Sequence, residues 1–266
     1  KSFHFGLDLA ASYTFGHSKS VYDGTSSVAY SNWKYNYAVD SNNPGLAYSM
    51  FDIPHRVMVS VGYRTPRYAK GFMATTVSLV YNGYVGQRYS LTMNESYYDA
   101  EKKKTVYIDY NGDGWGGNSL LYIPTEDELQ KMDFKTEEDR RKFDEWIEGD
   151  SYAKKHRGAY AMRNSNSAPW ENRVDLHVAQ DIFVLKDRGS KFQVTFDVTN
   201  FANMLNKKWG TTYTAAYNVM PLQVIGSKKG EDGNYTNTYA YNSRNTITKN
   251  DVLSRWHAQI GIKYIF

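Results

Sequence analysis

The chain has no cysteine, which removes both a disulfide framework and a thiolate metal site. No apolar run approaches the ~18 to 20 residues that a membrane-crossing helix needs, and mean hydropathy is −0.65. Helical spans are thereby excluded. Strands that alternate polar and apolar residues are not, because such strands average to low hydropathy. An excess of one charge is also missing: 32 basic residues stand against 28 acidic ones, and the two signs are interspersed. Nucleic acid is therefore not an expected partner. A leader is lacking too, since Lys1 runs straight into the patterned segment Ser2-Phe3-His4-Phe5-Gly6-Leu7, as a piece of a larger domain would.

What is present is an aromatic bias, with 24 Tyr, 12 Phe and 6 Trp, suited to pleated sheets and to membrane interfaces. Period-two alternation recurs along the chain. The first strand is expected over Phe3 to Phe15, with Phe3, Phe5, Leu7, Leu9, Ala11, Tyr13 and Phe15 on one side. A second carries Val57, Val59, Val61 and Tyr63 opposite Arg56, Met58, Ser60, Gly62 and Arg64. A short turn, Thr65 to Gly71, leads to a third with Met73, Thr75, Val77, Leu79 and Tyr81. Val174, Leu176, Val178 and Ile182 mark a fourth, and Phe192, Val194, Phe196 and Val198 a fifth, joined by a short turn over Lys186 to Lys191. The last strand places Trp256, Ala258, Ile260, Ile262, Tyr264 and Phe266 against Arg255, His257, Gln259 and Lys263.

Two further strands are expected between the fifth and the last, one within Thr211 to Ile225 and one near Tyr235 to Tyr241, to keep the number even. His17 to Phe51 reads as a loop. Tyr89 to Glu171 reads as a longer one with short helices, because Thr125-x-x-Glu128 and Thr136-x-x-Asp139 have the spacing of helix caps. Phe143, Trp146 and Ile147 then share one helical face, and the helices should end near Gly158.

Several segments resemble known proteins. Gln259, Gly261, Tyr264 and Phe266 are ordered like the C-terminal assembly signal of bacterial outer-membrane barrels. Phe196-Asp197-Val198-Thr199-Asn200-Phe201-Ala202-Asn203 through Trp209-Gly210, with the ending Ser254 to Phe266, resembles the end of TonB-dependent outer-membrane receptors. Asp109-Tyr110-Asn111-Gly112-Asp113-Gly114, Leu121-Tyr122-Ile123-Pro124-Thr125, Lys155-His156-Arg157-Gly158 and Pro169 to Leu176 are similar to the Oar-like branch common in Bacteroidetes. The resemblance runs over most of the chain from Phe51 onward, and it departs from the porter ending that accompanies a lipoprotein lid.

The resemblance implies an all-β fold, an antiparallel transmembrane β-barrel. Residues 1–266 would be the C-terminal portion, roughly eight strands of a plugged barrel of about 22, with 89–171 as a large, partly helical extracellular loop. It further implies a Gram-negative outer membrane, uptake of a scarce solute or peptide, a TonB complex acting through a plug outside this sequence, membrane lipid and the barrel assembly machinery. An adhesin or secretion-linked surface barrel is the alternative, and a soluble calcium-binding sandwich that takes carbohydrate is a third reading.

Side chains with chemistry are few. Asp109, Asn111 and Asp113 have the oxygen spacing of a calcium loop, with Asn118 as a further ligand, although Leu120 stands where an EF-hand carries Glu; an Asx-rich turn is the plainer meaning. No cofactor is required. His4, Asp8, Arg64, Arg173, Asp175, His177, Asp181, Asp197 and His257 are expected to line a water-filled lumen. His177 beside carboxylates would suit a general base, but no nucleophile motif accompanies it, and the chain is not expected to be an enzyme. Trp115, Trp170, Tyr97, Tyr98 and the tyrosines of 235–241 suit ligand stacking or, more simply, loop packing and an aromatic belt.

Overall fold

The computed structural model describes residues 1–184, 190–214, 218–231, 233–243 and 247–266. Its frame is one six-stranded antiparallel sheet made of β1 (Leu7–Phe15), β2 (His55–Arg64), β3 (Met73–Tyr84), β4 (Glu171–Phe183), β5 (Lys191–Thr199) and β6 (His257–Ile265). Each strand pairs with the next in sequence, and each has at least 9 residues, the ~9 to 11 that a tilted strand needs to cross a bilayer. The all-β, antiparallel expectation holds. The sheet is open, with β1 and β6 as its edges.

The registers carry one set of side chains across the whole sheet. Leu9 lies opposite Val61, Val61 opposite Leu79, Leu79 opposite Leu176, Leu176 opposite Val198 and Val198 opposite Ala258. That face is therefore largely apolar, and Ile260 and Ile262 on it are more than 70% exposed. Rings gather at both of its ends. Phe192, Tyr264 and Phe266 stack at one, with centroids 4.9 and 6.1 Å apart, while Tyr13, Phe15, Tyr81 and Trp170 stand at the other. Its polar exceptions are His55 and Asn172 at the loop end and Thr75 with Gln180 near the short turn, which bond each other at 2.8 Å and the Tyr68 hydroxyl at 2.8 and 2.9 Å. The opposite face carries the charged and small residues of every strand.

Three expectations need correction. The wall has six strands among the described residues and not eight, because β5 pairs directly with β6 from Lys191↔Ile265 to Thr199↔His257. Leu222–Lys229 and Tyr235–Tyr241 form instead a hairpin with a bulge, against which Asp133–Phe134 adds in parallel, away from the wall. The first strand starts at Leu7 and not at Phe3: Gly6 has φ +94°, and an added Cβ would lie 2.1 Å from the Arg64 carbonyl oxygen, so the chain turns there. His4 consequently sits in the turn, edge-on to Phe5, and not on the polar face. Of the expected turn over Lys186 to Lys191, residues 186–189 lie outside the described residues.

All three long connections leave the same end of the sheet. The second and third build the molecule's main dry core, which comprises Tyr89, Leu91, Met93, Leu121, Ile123, Leu129, Phe134, Phe143, Ile147, Val219 and Leu222 with two small alanines, and the first is tied to the second by polar contacts. A first short helix, α1 (Ala29–Lys34), lies in the first connection. The capping expectations hold: Thr125 and Glu128 close a reciprocal box on α2 (Glu126–Lys131), and Thr136 accepts from the Asp139 amide on α3 (Glu137–Gly149). A last helical turn, Ala153–Lys155, precedes Gly158, which has φ +80°. The 89–171 loop is not self-contained, since Val219, Leu222, Tyr239 and Tyr241 come from the β5–β6 connection.

Phe143 is fully buried, and truncating such a ring costs about 3–5 kcal/mol. Phe143→Ala is expected to open the loop assembly to protease while far-ultraviolet dichroism still reports an intact sheet; a simultaneous loss of both signals would show that loops and wall form one cooperative unit.

Candidate functional site

The polar face and the loop assembly above it are the two places where this chain concentrates polar side chains. On the face, Asp181 is 1% exposed because three strands converge on it. Arg64 of β2 donates to it at 2.6 Å, and Lys191 and Gln193 of β5 at 2.7 Å. Farther up, His177 Nδ1 lies 2.5 Å from Asp197 Oδ1 across the β4–β5 pair. Arg173 approaches Asp175 at 3.7 Å. Asp8 and His257 lie on the same face, toward the two edges. Of the expected wall residues, all but His4 therefore share one surface, and the structure joins four of them into two bonded pairs, Arg64 with Asp181 and His177 with Asp197.

Gln259 and Gly261 belong to this face, opposite Asp197 and Thr195, whereas Tyr264 belongs to the apolar one. A Cβ at Gly261 would meet the Thr195 hydroxyl at 2.7 Å, so glycine is what allows the two strands their full register. Phe266 is 97% exposed.

A rim closes the face at the end where the long connections leave the sheet. Asn200 adopts φ 56° and ψ 47° where β5 gives way to α4 (Phe201–Leu205). Its amide donates to Asp175 at 2.7 Å, and its side chain donates to the carbonyls of Gly210 and Ser254, both at 2.8 Å. Glu171 accepts from Tyr84 at 2.8 Å and from Thr212 at 3.0 Å. Strands β3 to β6 are thus tied together by side chains just where the loops begin.

Within the loops, buried ion pairs join the first connection to the second. Arg88 makes two bonds to Asp52 Oδ2, at 2.7 and 3.0 Å, and stacks on Tyr48. Burial alone would raise the Asp52 carboxyl, but the Ser18 amide, Arg88 and His17 outweigh it and hold it below its usual range. Arg163 reaches Asn36 at 2.8 Å and Asp23 at 3.2 Å. A cavity of about 260 Å³ opens beside that group, with Tyr35 and Asn164 among its lining residues. Sequence reasoning missed Asp52, Arg88, Asp23 and Arg163. They are widely separated along the chain and match no spacing rule.

The Asp109–Gly114 segment forms an Asx-rich turn. Asp109 accepts from the amides of Asp113 and Gly114 at 3.2 and 2.8 Å, and Asp113 accepts from the Trp115 amide, Ser41 and Asn118 at 2.6–2.7 Å. Among the described residues no three acidic or imidazole side chains converge as metal ligands. Trp115 lies under the Lys34 ammonium, and Trp170 donates to Asn172 at 3.1 Å, so both rings have packing roles.

Removing one partner of a buried pair strands the other, at a cost of about 3–5 kcal/mol. Arg88→Met is expected to release the first connection, read as faster amide exchange, and Asp52→Asn with Arg88→Met to restore most of the protection. Because the folded Asp52 pKa is depressed, its contribution holds above its ordinary value of 3.8 and fades as pH falls through the folded value. The acid loosening should be absent from Asp52→Asn; a wild-type response that persists there would assign it to another group.

The geometry finds its counterpart in known proteins at the level of the family. Comparison with curated proteins and with solved structures gives no match. A family model described as an outer membrane beta barrel domain matches residues 1–245, which takes in β1 to β5, the first two long connections and most of the third. The chain belongs to that outer-membrane β-barrel family, and its place is the outer membrane of a Gram-negative cell.

Proposed function

We propose that the chain supplies part of the wall, and the outer loops, of a TonB-dependent receptor of the Oar-like kind, which takes up a scarce extracellular solute or peptide. The observation that carries this reading is the open, polarity-split sheet whose three long connections fold together at one end. In lipid, the free backbone groups of β1 and β6 require further strands, and a wider barrel has room for a plug. The motif resemblance points to the same family of receptors. In this reading lipid meets the apolar face, while Asp8, Arg64, Arg173, Asp175, His177, Asp181, Asp197 and His257 line the lumen around the plug. Gln259, Gly261, Tyr264 and Phe266 address the assembly machinery. The TonB complex acts through the plug, and nothing in the wall performs catalysis.

A surface adhesin is the second reading, favoured by the hydrophobic core within the loops, which gives them a rigid binding face. Uptake assays separate the two. Deletion of the full-length protein should abolish uptake of one labelled solute among ferric siderophores, cobalamin, peptides and oligosaccharides, and loss of the energising complex should have the same effect. Normal uptake of every solute with loss of cell-surface attachment would sink the receptor reading in favour of the adhesin.

A further inference from the structure

The β5–β6 connection leaves and rejoins the wall through two short helices, α4 and α5 (Asp251–Ser254), and the side chains around both are apolar and exposed. Leu205, Trp209, Val252, Leu253 and Trp256 are each at least 46% exposed. They are not scattered. Asn200 holds both segments through the carbonyls of Gly210 and Ser254, and the Lys249 ammonium reaches the Lys207 carbonyl at 3.4 Å. Large apolar groups gathered on one surface mark a place that meets something other than water.

The patch continues the apolar side of the wall. Val198 is on that face, opposite Ala258, yet it is 1% exposed where Leu79 in the same row is 40% exposed. An element must cover it from that side, and α4, which begins at Phe201 and packs against β4, is the one in reach. Trp256 extends the alternation of Ala258, Ile260 and Ile262 one step beyond β6. Both segments stand at the end of the sheet where Tyr13, Phe15 and Trp170 gather, and an aromatic girdle of that kind sits at the level of lipid headgroups.

Three lysines share this level. Asn203 donates to the carbonyls of Lys207 and Trp209 at 3.3 and 2.8 Å, so Lys207 and Lys208 project from a fixed turn, and Lys249 lies against it. Neither Lys207 nor Lys208 has an acidic partner among the described residues, and Lys249 has only the exposed Asp251, at 3.6 Å. Like charges held together repel, and an anion shared among them removes that cost. We propose that the patch binds the phosphate-bearing headgroup of an outer-leaflet lipid, with the three ammonium groups on phosphate and the apolar side chains on the acyl chains below. A free anion would account for the lysines and not for Leu205, Val252 and Leu253; an uncharged lipid would account for those and leave the lysines unanswered. A basic residue beside an anionic lipid surface is worth about fivefold in affinity, so three give about a hundredfold. The inference rests on the place of the chain in the outer membrane, and it holds for a receptor and for an adhesin alike. Such a lipid would brace the rim where Asn200 joins loops to wall.

The test uses the full-length protein in detergent, titrated with bisphosphorylated lipid A and, separately, with the same lipid stripped of phosphate, the complexes being counted by native mass spectrometry. Wild type should bind the phosphorylated form about a hundredfold more tightly. Lys207→Gln, Lys208→Gln and Lys249→Gln combined should bind the two forms alike, whereas Lys154→Gln with Lys155→Gln, two exposed lysines of the loop assembly, should keep the wild-type preference. Equal binding of the two lipids by wild type overturns the proposal without any variant, and it is also the result expected if another part of the barrel covers the patch. The proposal fails equally if the preference survives the triple replacement, or if the loop-lysine variant loses it as well, because net charge alone then explains it. Displacement of the lipid by an equal concentration of inorganic phosphate would make the site one for a free anion and exclude the lipid.

Discussion

A peptide group inside hydrocarbon has no water to bond, so every one must be answered by another strand. The sheet meets that constraint with unbroken registers from β1 to β6. Once the ladder is fixed, each side chain has only two directions, and neighbouring residues face different solvents. The apolar belt from Leu9 to Ile260, its aromatic ends and the charged face behind it all follow. So does the place of His177 and Asp197. They meet because their strands are in register, and no local motif was needed to bring them together.

The same constraint moves the dry core elsewhere. A wall one sheet thick has no interior of its own, and its apolar face is covered by lipid. The residues that pack as in a soluble protein are consequently those of the long connections, with Phe143, Ile147, Leu121 and Ile123 fully buried. Burying each such side chain is worth about 1.5–3 kcal/mol. The ion pairs on the exposed side of α3, such as Arg141 with Glu138 and Lys142 with Glu138, are screened by water and contribute far less. Packing therefore decides the shape of the loops, and the surface charges keep that shape soluble.

Much of this was legible in the residues because strands and capped helices are local. Period two located all six wall strands, and Thr125 with Glu128 located α2. The reading failed where a local pattern has two physical causes. Tyr235–Tyr241 alternates as a wall strand would, yet it pairs with Leu222–Lys229 over the loop core, and alternation does not say which apolar surface it serves. The first strand was overextended because Phe3 and Phe5 continue the pattern past Gly6, whose left-handed backbone ends it. Asp52 and Arg88 were invisible for a different reason. Their meaning lies in contacts between distant segments, and a lone carboxylate in a sequence gives no sign that it will be buried.

Asn200 shows how wall and loops act on each other. Its left-handed backbone is one that asparagine tolerates better than most residues, and an added Cβ at Gly210 would fall 1.9 Å from its side-chain oxygen. That close fit explains why the segment from Asp197 to Gly210 holds together as a motif. One side chain holds the loop's return at Gly210 and the approach to β6 at Ser254, while its backbone amide is held by Asp175 on the polar face. A shift of the loops must therefore be felt at Asp175, only two residues along β4 from His177. The rim is rigid by hydrogen bonding and not by packing. Movement of the loops then reaches the polar face of the wall as a change in polar contacts, and the apolar belt need not move with it.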